Sequence, residues 1–116
     1  MKIKNSPQGD YSIVTCSGRI DSDNYSQAEA ALTEIVDAGN HHLILNLSDL
    51  DYISSAGLRT LINLAKKIKY HNGTIAAALM KRDVREIFDI AGFHVLIPTY
   101  DTIEEARGHL GIAPPV

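Results

Sequence analysis

The chain has a single cysteine, Cys16, and so cannot form an internal disulfide. It also lacks a basic excess, since 11 Lys and Arg against 14 Asp and Glu leave a formal net charge of -3. Binding that works by neutralising nucleic-acid phosphates needs clustered Lys and Arg, so no nucleic-acid partner is expected. No apolar run approaches the roughly 20 residues that span a bilayer, and no apolar N-terminal stretch reads as a signal peptide. Membrane insertion is therefore not expected, and a reducing cytoplasm is. The phosphate-cradling patterns G-x-x-x-x-G-K-[ST] and G-x-G-x-x-G are both missing. Five histidines (His41, His42, His71, His94, His109) show no metal-ligand spacing with cysteine or acid support. Neither a metal nor a cofactor is expected. Cys16 itself lies in the apolar run "YSIVTCSG" with no Lys or Arg within two residues to lower its pKa, which predicts a core side chain and not a reactive thiol.

What is present is 116 residues with 45% apolar and 22% charged content, the profile of one soluble globular domain spanning 1–116. At this size folding hides about two-thirds of the extended chain's surface. Only the tail "GIAPPV", residues 111–116, is expected to be loose. "MKIKN" and "DYSIVTCSG" flank the turn-rich "SPQGD", which predicts an opening hairpin. From Asp21 the apolar spacing becomes helical through Tyr25, Ala28, Leu32 and Ile35, ending at Gly39-Asn40. "HLILNL" reads as a strand covered on both faces, and a second helix is expected from Ser55 to His71. "TIAAAL" then predicts a strand, "RDVREIFDIAG" a short helix, "VLIP" a further parallel strand and "TIEEARGHL" a last helix capped by Thr102. The expected order is β-β-α-β-α-β-α-β-α: an α/β domain with a mostly parallel sheet and an antiparallel N-terminal edge strand.

In such sheets, sites form beyond the carboxyl ends of the strands. The segment "LILNLSDLDYISSAGLRTLINLAKK", residues 43–67, crosses that end and places Ser54, Ser55 and Gly57 at a helix start. Its first turn, Ser55 to Arg59, holds no acid, so the positive end of the helix dipole is left uncompensated. Two readings stand: either serine caps the helix, or a hydroxyl there is a phosphorylation site, since a phosphoryl group adds about -1.5 to -2 charges where the helix can accept them. Enzymatic readings fit poorly. A nucleophile elbow, G-x-S-x-G, would need glycine where Ile53 stands, although Asp89 and His94 follow in the hydrolase order. A receiver-type phosphoacceptor aspartate would fall at Asn46.

The chain resembles the STAS family, the domain of bacterial anti-sigma-factor antagonists of the sporulation type. The resemblance is carried by "SGRID" (17–21), "LILNLSDLDYISSAGLRTL" (43–61), "VREIFDIAGF" (84–93) and "TIEEA" (102–106), and it covers nearly the whole chain. The family's central block commonly reads D-S-[ST]-G with the serine as phosphoacceptor. With Gly57 on the motif's glycine, Ala56 takes the [ST] position, Ser55 the phosphoacceptor and Ser54 the place usual for aspartate. That departure makes Ser54 a competing site. The resemblance implies a non-enzyme, monomeric when free. Unmodified, it would bind an anti-sigma factor that is also a serine kinase of the histidine-kinase-like ATPase type; phosphorylation at Ser55 would break the complex, and a metal-dependent serine phosphatase would restore it. The partner surface so implied comprises Asp21, Ser54, Ser55, Ala56, Gly57, Leu58, Arg59, Lys81 and Arg82. Asp21 is equally expected to cap the first helix, for which Asp21 to Asn24 all supply cap candidates, and Asp83 the third. Arg59 could pair with Asp49 or Asp51, but its default is a solvated surface arginine. The alternative is a constitutive STAS-like structural or regulatory subunit, as in a transport complex, with Ser55 only a cap.

Overall fold

Alternating burial builds the first strands of the computed structural model, which describes residues 1–111. In β2 (Ser12–Ile20) the side chains of Ser12, Val14, Cys16 and Ile20 turn inward while Ile13, Thr15 and Ser17 are half-buried. That period of two fixes which face meets the core. β1 (Lys2–Pro7) pairs with it antiparallel, Lys2 opposite Ser17 and Pro7 opposite Ser12. The remaining elements are α1 (Tyr25–Asp37), β3 (His42–Asn46), β4 (Leu50–Ile53), α2 (Ser55–Tyr70), β5 (Thr74–Ala78), α3 (Arg82–Ile90), a 3-10 turn (Phe93–Val95), β6 (Thr99–Tyr100) and α4 (Ile103–His109).

The sheet runs β1-β2-β3-β5-β6, parallel from β2 onward, with β4 added to the far half of β2. The expected α/β class and its antiparallel edge strand are thus found. Inward residues of β2, β3 and β5 pack against Ala28, Leu32 and Val36 of α1, Leu61, Leu64 and Ile68 of α2, and Val84 and Phe88 of α3. On the other face α4 covers Ile44, Ala76 and Ala78 with Ala106 and Leu110. β3 and β5 are therefore buried on both sides, which is why their sequences are almost continuously apolar.

Two elements differ from expectation. "VLIP" is not a strand: Gly92, at φ 69°, ends α3 in the left-handed region and sets Phe93 against Phe88 at 5.0 Å, so the chain coils through a 3-10 turn. Strand pairing resumes only at Thr99. Conversely, Leu50–Ile53 form β4, pairing with Gly18–Ile20 across a register shift, where a loop was expected. Leu50 and Ile53 bury their side chains while Asp51 and Tyr52 face outward. α1 begins at Tyr25, and of the cap candidates Asp21 to Asn24 it is Asn24 that takes the cap position. Of the tail expected to be loose, residues 112–116 lie outside the described residues.

Candidate functional site

β4 delivers the chain to the serine turn. The Ser54 amide donates to the Ile20 carbonyl at 2.9 Å, locking the turn to the end of β2. The Ser54 backbone is extended (φ -88°, ψ 175°) and its hydroxyl oxygen accepts from the Gly57 amide at 3.2 Å. Ser54 is therefore the N-cap of α2, satisfying one of the amides that a helix start leaves over. Ser55 is the first helical residue, exposed, and its hydroxyl has no partner among the described residues. Gly57 is buried; a Cβ there would stand 2.7 Å from Ile53 Cγ1, 2.8 Å from Ile20 Cγ2 and 3.0 Å from the Ile20 carbonyl oxygen. Only a residue without a side chain lets the first turn of α2 rest directly on the ends of β2 and β4.

The neighbours are tied to this turn by specific bonds. Thr60, buried one turn along α2, donates to the Ala56 carbonyl at 3.2 Å and approaches the Tyr25 carbonyl at 3.5 Å, joining α2 to the start of α1. Asp21 does not cap α1: its Oδ1 accepts from the amides of Asp23 (2.9 Å) and Asn24 (3.2 Å), organising the loop beside Ser54, while Oδ2 lies 4.0 Å from Arg19 Nε. The Arg19 guanidinium stands over the Tyr52 ring at 4.3 Å. The sequence places Tyr52 in a loop and does not signal this pair, because two successive outward residues, Asp51 and Tyr52, break the period-two pattern that marks a strand.

Lys81, exposed, hydrogen-bonds Asp51, and that bond raises its pKa above the usual lysine range. It thereby links the start of α3 to β4. Arg82 reaches Glu86 one turn on at 3.6 Å, and Arg85 donates to Asp101 at 2.8 Å, which holds its pKa up. Arg59 is exposed and forms no ion pair among the described residues, as expected of a solvated surface arginine, and Asp51 pairs with Lys81 instead. Asp83 lies in the first turn of α3, with Lys81 at the cap position. Ser54 to Arg59, Asp21 and Lys81 thus border one end of the sheet, while Arg82 points along its own helix toward Glu86. Leu79, two residues before Lys81, adopts φ 63°, an uncommon conformation for a branched side chain, and is 37% exposed.

The arrangement offers a hydroxyl at a positive helix end. Cys16 is fully buried, and burial pushes its thiol up to about 12, so it carries no thiolate near neutral pH. Among the described residues no three of His, Cys, Asp and Glu converge as a metal site, and no helix is long and apolar enough to cross a membrane.

The STAS domain model matches residues 2–106. The chain is 38% identical over 104 residues to BtrV of Bordetella bronchiseptica, named as a candidate anti-sigma factor antagonist, covering 89% of this chain and 90% of that one. It superposes on the crystal structure of an anti-sigma factor antagonist from Mycobacterium paratuberculosis with a TM-score of 0.85 at 22% identity, over 96% of this chain and 94% of the other. Against the antagonist SpoIIAA in its unphosphorylated form the TM-score is 0.77 at 16% identity, over 97% of this chain and 100% of the other. SpoIIAA of Bacillus also has a solved phosphorylated form, matched with a TM-score of 0.69 at 16% identity over 93% and 98% of the two chains. At these identities the structural likenesses speak for the fold.

Proposed function

The chain belongs to the STAS domain family, and from that premise we propose that it is an anti-sigma-factor antagonist switched by phosphorylation of Ser55. The observation that carries this reading is the division of labour at the turn: Ser54 spends its hydroxyl on the cap, while Ser55 presents an exposed, unbonded hydroxyl at a helix start free of acids. A phosphate on Ser55 suits the helix end, so the fold tolerates it. A partner pressed against the same turn meets a hydrated dianion. A hundredfold loss of affinity takes about 2.8 kcal/mol, within reach of burying such a charge unpaired. In this reading the unmodified surface of Asp21, Ser54 to Arg59, Lys81 and Arg82 receives an anti-sigma factor that is itself a histidine-kinase-like serine kinase. A metal-dependent phosphatase resets the switch.

Incubation with such a kinase and ATP, followed by intact mass, tests the proposal. A gain of about 80 Da is expected in the wild type and in Ser54→Ala, and is expected to vanish in Ser55→Ala. No gain, or a gain that follows Ser54, overturns the assignment. Binding to the kinase is expected to survive Ser55→Ala and to fall at least about tenfold in Ser55→Asp. Equal binding by all three proteins would instead favour a constitutive subunit.

A further inference from the structure

At the end of α2 remote from the serines, a groove of about 310 Å³ opens between the C-terminal half of α2, the start of β5, the 3-10 turn and the end of α4. Its floor is apolar, with Ile68 and Ile75 buried. Its wall is made by Val95 and Leu96, which remain 77% and 46% exposed although they are large apolar side chains. Lys66, Lys69 and His109 line the same groove, and no carboxylate does among the described residues. Lys67 is paired with Asp37, but Lys66 and Lys69 have no acidic partner among the described residues. The rim is thus positive on a chain whose net charge is -3.

From this pairing of an apolar wall left exposed by the described residues with two ammonium groups that have no acidic partner among them, we infer that the groove is a binding site for a free medium-chain aliphatic carboxylate. The volume is at the lower end of small-molecule sites, about 300–1,000 Å³. An alkyl chain along Val95, Leu96 and Ile75 removes apolar surface from water, and a carboxylate at the mouth makes charge-assisted bonds to Lys66 and Lys69. A cationic amphiphile meets repulsion at the same rim, and a neutral one leaves both ammonium groups unanswered. The site lies roughly 15–20 Å along α2 from Ser55 at 1.5 Å per residue and does not depend on the phosphorylation reading.

The test is a head-group series at constant tail length, with octanoate, 1-octanol and octylammonium titrated into the 15N-labelled full chain. Saturable amide shifts confined to α2 beyond Leu64, the 3-10 turn and α4 are expected for octanoate, with affinity at least about tenfold above octylammonium. The double variant Lys66→Ala/Lys69→Ala is expected to erase the head-group preference. Val95→Asp is expected to abolish binding, with unshifted amides in β3 and β5 reporting an intact fold. Absence of saturation, equal affinity for all three head groups, shifts mapping elsewhere, or retention on anionic lipid vesicles without any response to octanoate would each overturn the inference.

Discussion

Ser54 and Ser55 have the same side chain and differ only in what surrounds it. The Ser54 hydroxyl accepts from the Gly57 amide, so Ser54→Ala leaves that amide without its partner and is expected to cost about 1 kcal/mol. Ser55 sits exposed within the helix, where Ala is the better helix former, and Ser55→Ala is expected to be neutral or stabilising by a few tenths of a kcal/mol. Urea unfolding of the two variants checks this, and equal losses would show that the cap is shared. The sequence left both serines as candidates for both tasks because spacing alone does not say where the helical dihedrals begin. That depends on β4, whose pairing with β2 pulls Ser54 onto the Ile20 carbonyl. The family motif points to Ser55 as the phosphoacceptor, while the cap follows only from how the turn folds. Asp21 misled for a related reason: a carboxylate near a helix start reads as a cap, yet here it folds the loop three residues ahead of the cap position.

The helices and the central strands were legible because their apolar spacing is long and unambiguous, whereas the junctions were not. "VLIP" has the composition of a buried strand, but only Ile97 of its four residues is buried, because the Phe88–Phe93 contact dictates the path of the chain. β4 was hidden by its two outward residues, Asp51 and Tyr52, whose polarity imitates a loop. Junctions also set the tolerance to substitution. Gly73 joins α2 to β5 so closely that a Cβ would stand 1.9 Å from the His41 carbonyl oxygen, the same oxygen that accepts from the Thr74 amide at 3.0 Å. Gly73→Ala must push the start of β3 away from β5 and is expected to cost about 3 kcal/mol or more. Gly108, inside α4, has nothing within 4 Å of its notional Cβ. Gly108→Ala is expected to stabilise by about 0.5–1 kcal/mol through helix propensity. Thermal unfolding of the pair separates the two cases by sign, and a loss in Gly108→Ala would show that α4 is held in a way its open surroundings do not suggest.

The two faces of the sheet are covered unequally, and this sets where the molecule opens first. Three helices, α1 to α3, close one face over the larger cluster. The other is closed by the seven residues of α4, resting on Ile44, Ala76 and Ala78, beside a β6 of two residues. β3 and β5 lie between both layers, with Leu43, Ile44, Leu45, Ala76, Ala77 and Ala78 wholly buried. Local opening follows buried contact density, so native-state hydrogen exchange is expected to be slowest at the amides of Leu43 to Leu45 and Ala76 to Ala78, tracking global unfolding. Amides of α4 are expected to exchange through an opening at least about 2 kcal/mol less costly, because detaching α4 exposes only the smaller cluster. The serine turn belongs to the larger one through Ile20, Ile53 and Leu61. A negative charge at Ser55 is therefore expected to leave the order of exchange unchanged, since it acts on the surface of the best-packed layer. If Ser55→Asp instead accelerated exchange in β2 or α2, the added charge would be loosening the fold itself, and loss of partner binding could no longer be assigned to the interface.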